Sequence, residues 1–160
     1  MTVLERGLKT CQILMAAVMA GAIAFAAVTV FMVQSGHIPP PAPGGNLDVL
    51  KYVVPAVGVG AFLGVVFIRS RVAKHAAGVV SQLRDEEAIA AAIAESFSKV
   101  TILTCALMEG PALLAIVATL ITGKFEFLAG TTACLIVMAV MFPTSGLLDR
   151  WAQRVGGPRY

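Results

Sequence analysis

The stretch CALMEGPALLAI, Cys105 to Ile116, sets one carboxylic acid, a glycine and a proline inside an apolar run; the nearest charged residues along the chain are Lys99 and Lys124. A carboxyl group so placed can exchange a proton, coordinate a cation, or act as a neutral hydrogen-bond donor. Pro111 removes the amide that would bond the Leu107 carbonyl, and Gly110 loosens the turn, so a helix here is expected to kink beside the acid. Glu109, Gly110 and Pro111 together form one small polar locus, a candidate proton or cation site or a packing site.

Other chemistry is hard to assemble from these residues. No nucleophile is paired with a base, no glycine loop precedes a phosphate site, and His37 and His75 do not cluster. Cys11, Cys105 and Cys134 lack the spacing of a metal site, and an odd set within apolar runs is no disulfide framework. The expectation is a protein that is not an enzyme and carries no cofactor and no metal.

The elements that must hold the acid are apolar blocks. The 160 residues are 58% hydrophobic and 13% charged, with a mean hydropathy of +0.87. Soluble domains carry about twice that share of charge, so lipid is the expected solvent. Four runs, 11–33, 52–68, 100–122 and 125–142, are read as membrane-spanning helices of a ~30 Å hydrocarbon layer. They leave no room for a separate soluble domain, so 1–160 is read as one integral membrane domain. The first run is longer than the ~7 to 15 residues of a signal-peptide core and is read as an uncleaved span, although Arg6, Lys9 and the small residues Ala22, Ala24 and Ala26 could mimic a signal peptide.

Alternating loops put Arg6, Lys9, Arg69, Arg71, Lys74, Arg84, Lys99, Arg150, Arg154 and Arg159 on one side and only Lys51 and Lys124 on the other. Positive charge is retained in the cytoplasm, so both termini are expected there, in a cell inner membrane. The net charge of +3 then reflects topology and attraction to anionic lipid heads, and no nucleic-acid partner is expected. Proline run 39–41 with Gly44 and Gly45 is read as an extended outer connector.

Between the second and third runs, 69–99 is expected to be helical. Val72, Val79, Leu83, Ile89, Ile93 and Phe97 recur mostly at intervals of three or four, and the acidic Asp85, Glu86 and Glu87 suit a helix start. Two long helices projecting as a cytoplasmic hairpin fit this better than a surface-lying helix, whose polar face would be mostly basic. The tail SGLLDRWAQR is expected to form an interfacial helix, with Trp151 at the headgroup level. The predicted fold is thus all-α: a polytopic four-transmembrane-helix bundle with cytoplasmic extensions of its second and third helices.

Helices in lipid associate through small residues, and Gly60 with Gly64, Ala16 with Ala20 and Ala24, and Ala129 with Ala133 are spaced for that. At 1.5 Å per residue, Glu109 lies roughly 14 Å into a helix of about 34 Å, near the midplane. The same depth on the other spans falls near Gly21, near Gly64 and between Ala133 and Val137, so Gly21, Gly60 and Gly64 are the candidate packing glycines. An ionisable group at this depth costs at least ~2.5 kcal/mol to insert. Without a cationic partner the neutral form is favoured, so Glu109 is expected to be buried and protonated. Two roles follow: a packing node bonded to a carbonyl or to Thr104, Thr131 or Thr132, or a site of proton or cation handling. A contact with substrate or lipid is a third.

A midplane glutamate in a small, glycine- and alanine-rich chain of hairpins resembles the proteolipid c subunits of rotary ATPases. That resemblance implies proton- or cation-coupled transport centred on Glu109. The acid here lies on the first helix of the second hairpin, the repeated glycine ridge is missing and the two halves are not alike. ALMEGPALLA and the later MFPT resemble segments of small bacterial four-helix membrane proteins, which implies no particular activity. The leading expectation is a subunit or accessory factor of a membrane assembly, with the lipid bilayer and either further copies of itself or a membrane-complex partner around it.

Overall fold

The structure is a computed structural model, and it describes residues 3–37 and 47–157. The proline run, Gly44, Gly45 and Arg159 lie outside the described residues. Five α-helices follow in order: α1 (Val3–Gln34), α2 (Leu50–Val80), α3 (Glu86–Thr122), α4 (Leu128–Val140) and α5 (Ser145–Arg154). Short 3-10 turns, Leu47–Val49 and Phe125–Phe127, lead into α2 and α4.

The all-helical expectation holds among the described residues, and α1, α2 and α3 are each long and apolar enough to cross a membrane. The fourth run is different from its expected form. Instead of one helix over 125–142, a 13-residue α4 stops at Val140, and α5 leaves after a break at a bend of 74°. Pro143 in that break has no amide to continue the ladder, and Thr144 begins a new helix by accepting a hydrogen bond from the Leu147 amide at 3.3 Å.

The charged connection folds as the two-helix hairpin. α2 runs on to Val80, and α3 continues unbroken from Glu86 to Thr122. Asp85 is its N-cap: extended in backbone, its carboxylate accepts from the Ala88 amide at 3.1 Å, with Glu86 and Glu87 in the first turn. Asp85→Ala is expected to cost about 1 kcal/mol of stability in chemical denaturation. An unchanged midpoint would mean that packing alone sets the start of α3.

α3 is the central helix. Half of its most apolar stretch is buried, against 17% for α1 and 11% for α2. α1 runs parallel to it: a Cβ on Gly7 would lie 3.6 Å from Ala94, and the Cys11 thiol donates to the Ser98 hydroxyl at 3.4 Å. α2 and α4 run antiparallel to it. Gly64 lies against Leu107, Gly130 against Ala115 and Val54, and the Thr131 hydroxyl donates to the Ala112 carbonyl at 3.1 Å. Gly123, at φ 67°, ends α3 in the left-handed conformation and its amide bonds the Thr119 carbonyl, which turns the chain toward α4.

Three apolar clusters stack along this axis. Val54, Ala115, Ala118 and Phe127 fill the α3–α4 turn end. Met15, Val65, Cys105, Met108 and Met138, one or more from each of the first four helices, fill the middle. At the hairpin end, Ile93, Phe97 and Val100 of α3 meet Ala73, Ala76 and Val80 of α2 and Leu148, Trp151 and Ala152 of α5. The last cluster corrects the interfacial-anchor expectation. Trp151 is 3% exposed and its indole N–H donates to the Ser96 hydroxyl at 3.0 Å, so the ring points into protein and away from a headgroup layer.

Candidate functional site

Glu109 belongs to a stripe on α3. At 100° per residue, Ser98, Cys105, Glu109 and Ile116 share one flank, and Ser98 and the cluster of Cys105 with Met15 show that this flank meets α1. On α1 the buried residues Cys11, Met15, Ala22 and Thr29 form the matching stripe. Continuing the parallel register from the Cys11–Ser98 pair, eleven residues on, brings Ala22 level with Glu109. Seven more bring Thr29 level with Ile116.

This register corrects three expectations. Glu109 is half-buried where full burial was expected, because the next positions around the helix, Ile102 and Ala106, are exposed and α1 covers only one side of the acid. Its carboxyl has no hydrogen bond or salt bridge among the described residues. Thr131, proposed as its partner, spends its hydroxyl on the Ala112 carbonyl, and Thr132 spends its own on Leu128. Gly21 and Gly60 are open, with no heavy atom within 4 Å of a Cβ placed there, so of the three candidate glycines only Gly64 lies at a helix contact, 3.6 Å from Leu107. On α1 the residue that faces α3 at the level of Glu109 is Ala22, next to Gly21.

The locus of three residues divides between two sides of α3. Gly110 is exposed, and Pro111 is buried on a different face, where it lines a cleft between α2 and α4. α3 stays helical through both. Glu109 therefore looks toward α1 and Pro111 toward α2 and α4.

Two further features had no sequence signal. The Thr29 hydroxyl is fully buried in the α1–α3 seam and has no hydrogen-bond partner among the described residues. At the α3–α4 turn end, Asp48 sits 3.1 Å from Lys51 and 4.0 Å from Lys124, and Glu126 lies close enough to act on Lys51. The hydrogen bond from Lys51, then its charge and that of Lys124, hold the Asp48 carboxyl below the usual carboxylate range. The Asp48 hydrogen bond, with the Asp48 and Glu126 charges, raises Lys51 in return. At the other end, Lys99 pairs with Glu95 at 2.6 Å, and Arg69 is half-buried, its pKa lowered by burial and by the Arg154 charge.

Among the described residues no group of three His, Cys, Asp or Glu side chains could hold a metal ion. Comparison of the chain with protein-family models, with curated proteins and with solved structures gives no match.

Proposed function

We propose that the chain is an integral membrane protein of four membrane-crossing segments, α4 being a short one, that serves as a subunit or accessory factor of a membrane assembly. The observation that carries this is the distribution of cover. Its own chain buries half of the apolar stretch of α3, while Ile23, Phe25, Val28 and Phe31 of α1 and Val59, Phe62, Leu63 and Phe67 of α2 face outward. Exposed apolar area on this scale requires hydrocarbon or a partner. The small-residue ridge Ala16, Ala20 and Ala24 is exposed too, so it is spent on no contact inside the bundle and remains for another helix.

The charges fit a bacterial inner membrane with both termini cytoplasmic. Arg69, Arg71, Lys74, Arg84, Lys99, Arg150 and Arg154 gather at the hairpin end, and Lys51 and Lys124 at the other, where each has an acid beside it. Glu109 fits the assembly reading as a midplane acid that its own chain leaves unbonded, and whose partner would come from a neighbouring subunit. The second reading, proton- or cation-coupled transport, rests on that same unbonded, half-exposed acid.

Native mass spectrometry of the tagged chain released from membranes into nanodiscs tests the assembly. A complex larger than one chain is expected, and Ala20→Phe is expected to dissociate it while leaving the helical content of the single chain intact. A wild-type chain that is monomeric at every concentration and carries no partner would overturn the proposal.

A further inference from the structure

α2 and α4 both pack on α3 and leave between them a cleft of about 360 Å³. Its lining is apolar and includes Pro55, Gly58, Phe62, Pro111, Ala133 and Val137. It runs on, through the shared residues Val54, Pro55 and Gly130, into a second hollow of about 380 Å³ whose lining adds Lys51, Glu126 and Ala129. One continuous groove thus has an apolar length and an ionic mouth.

Its dimensions match one leaflet. Along α2 the groove extends from Lys51 to Phe62, and along the opposite wall from Glu126 to Val137. Eleven residues at 1.5 Å give about 17 Å on each wall, close to half of the ~30 Å hydrocarbon layer. An acyl chain lying there would begin at the headgroup level and end near the midplane. The volume also falls within the range of roughly 300–1,000 Å³ for ligand sites.

The mouth selects among headgroups. Lys51 lies 3.1 Å and Lys124 4.0 Å from Asp48, and Glu126 is exposed and has no salt bridge of its own among the described residues. Two ammonium groups can donate to a phosphate, and the Glu126 carboxylate can accept from a headgroup ammonium. A purely anionic head would meet Glu126 and Asp48 as like charges, and a quaternary ammonium would have no N–H to donate.

We propose that this groove seats one zwitterionic glycerophospholipid with a primary-ammonium headgroup, an acyl chain between α2 and α4 and the head among Lys51, Lys124 and Glu126. The inference rests on the membrane-spanning reading above. Native mass spectrometry of the full chain in mild detergent, titrated with phosphatidylethanolamine, phosphatidylcholine and phosphatidylglycerol of identical acyl chains, tests it. One phosphatidylethanolamine is expected to bind about fivefold or more tightly than either competitor. Ala133→Trp and Gly58→Leu, which fill the groove, are each expected to weaken it about tenfold, and Glu126→Lys to move the preference to phosphatidylglycerol.

Equal affinity for the three lipids, or folded groove-filling variants that bind as wild type, would overturn the proposal. Glu126→Lys changes only an exposed side chain, so the headgroup arm stands even where the groove-filling variants do not fold. Alkaline carbonate extraction of the same membranes separates the two levels of the argument. A chain that stays with the membrane yet shows no lipid preference sinks the groove alone, and a chain that washes off sinks the membrane reading with it.

Discussion

Trp151→Ala is expected to lower the unfolding free energy by roughly 3–5 kcal/mol, the usual cost of emptying a buried aromatic site. The ring is 3% exposed, packs among Ile93, Phe97, Val100 and Leu148, and donates its N–H to Ser96, whose hydroxyl in turn donates to the Ile93 carbonyl at 2.9 Å. Three helices meet at this residue, which with Leu148 and Ala152 ties α5 to the α2–α3 hairpin. Trp151→Phe keeps most of the volume and loses the hydrogen bond, so a cost of about 1 kcal/mol is expected for it. Chemical unfolding in detergent reads both. In that medium a ring that merely anchored the chain at a headgroup layer would cost almost nothing on removal. A loss below about 1 kcal/mol for alanine would therefore return Trp151 to the interfacial role.

The contrast shows where the sequence was legible. An amphipathic decamer such as SGLLDRWAQR has one apolar face, and that face suits a lipid interface or a protein groove equally. Composition alone does not choose between them. The start of α3 at Asp85 was readable because a cap is a local device: one carboxylate, one amide three residues on, and acids in the first turn. The level of Gly64 was readable because rise per residue is fixed. Which face of α1 turns inward was not, since Gly21 and Ala22 are both small and apolar residues surround them, leaving the helix little polar contrast to orient it. The ionic mouth escaped for another reason. Asp48 and Lys124 are far apart along the chain, and only the antiparallel packing of α2 on α3, which sets the start of one beside the end of the other, brings them to 4.0 Å.

Glu109 carries the other large expectation. A carboxyl bonded inside its own bundle would make Glu109→Leu destabilising and Glu109→Gln tolerated, since glutamine alone keeps a hydrogen bond. The carboxyl here has no such bond, and Ala22, level with it across the seam, offers only a methyl group. Glu109→Leu is accordingly expected to leave the isolated chain as stable as wild type or more so, by up to about 2.5 kcal/mol, the cost of an ionisable group at this depth. The assembled complex is expected to behave in the opposite way, leucine weakening it and glutamine preserving it, because the assembly proposed above draws the carboxyl's partner from a neighbouring subunit. Unfolding of the purified chain and native mass spectrometry of the complex, run on the same three proteins, read the two effects separately. Proton and cation flux into liposomes decides between assembly and transport. Equal flux in wild type and Glu109→Gln is expected for a subunit whose acid is a contact. Flux that is present in wild type and abolished by glutamine would make the carboxyl a proton or cation carrier, because glutamine keeps the shape of the side chain and removes only its ionisation.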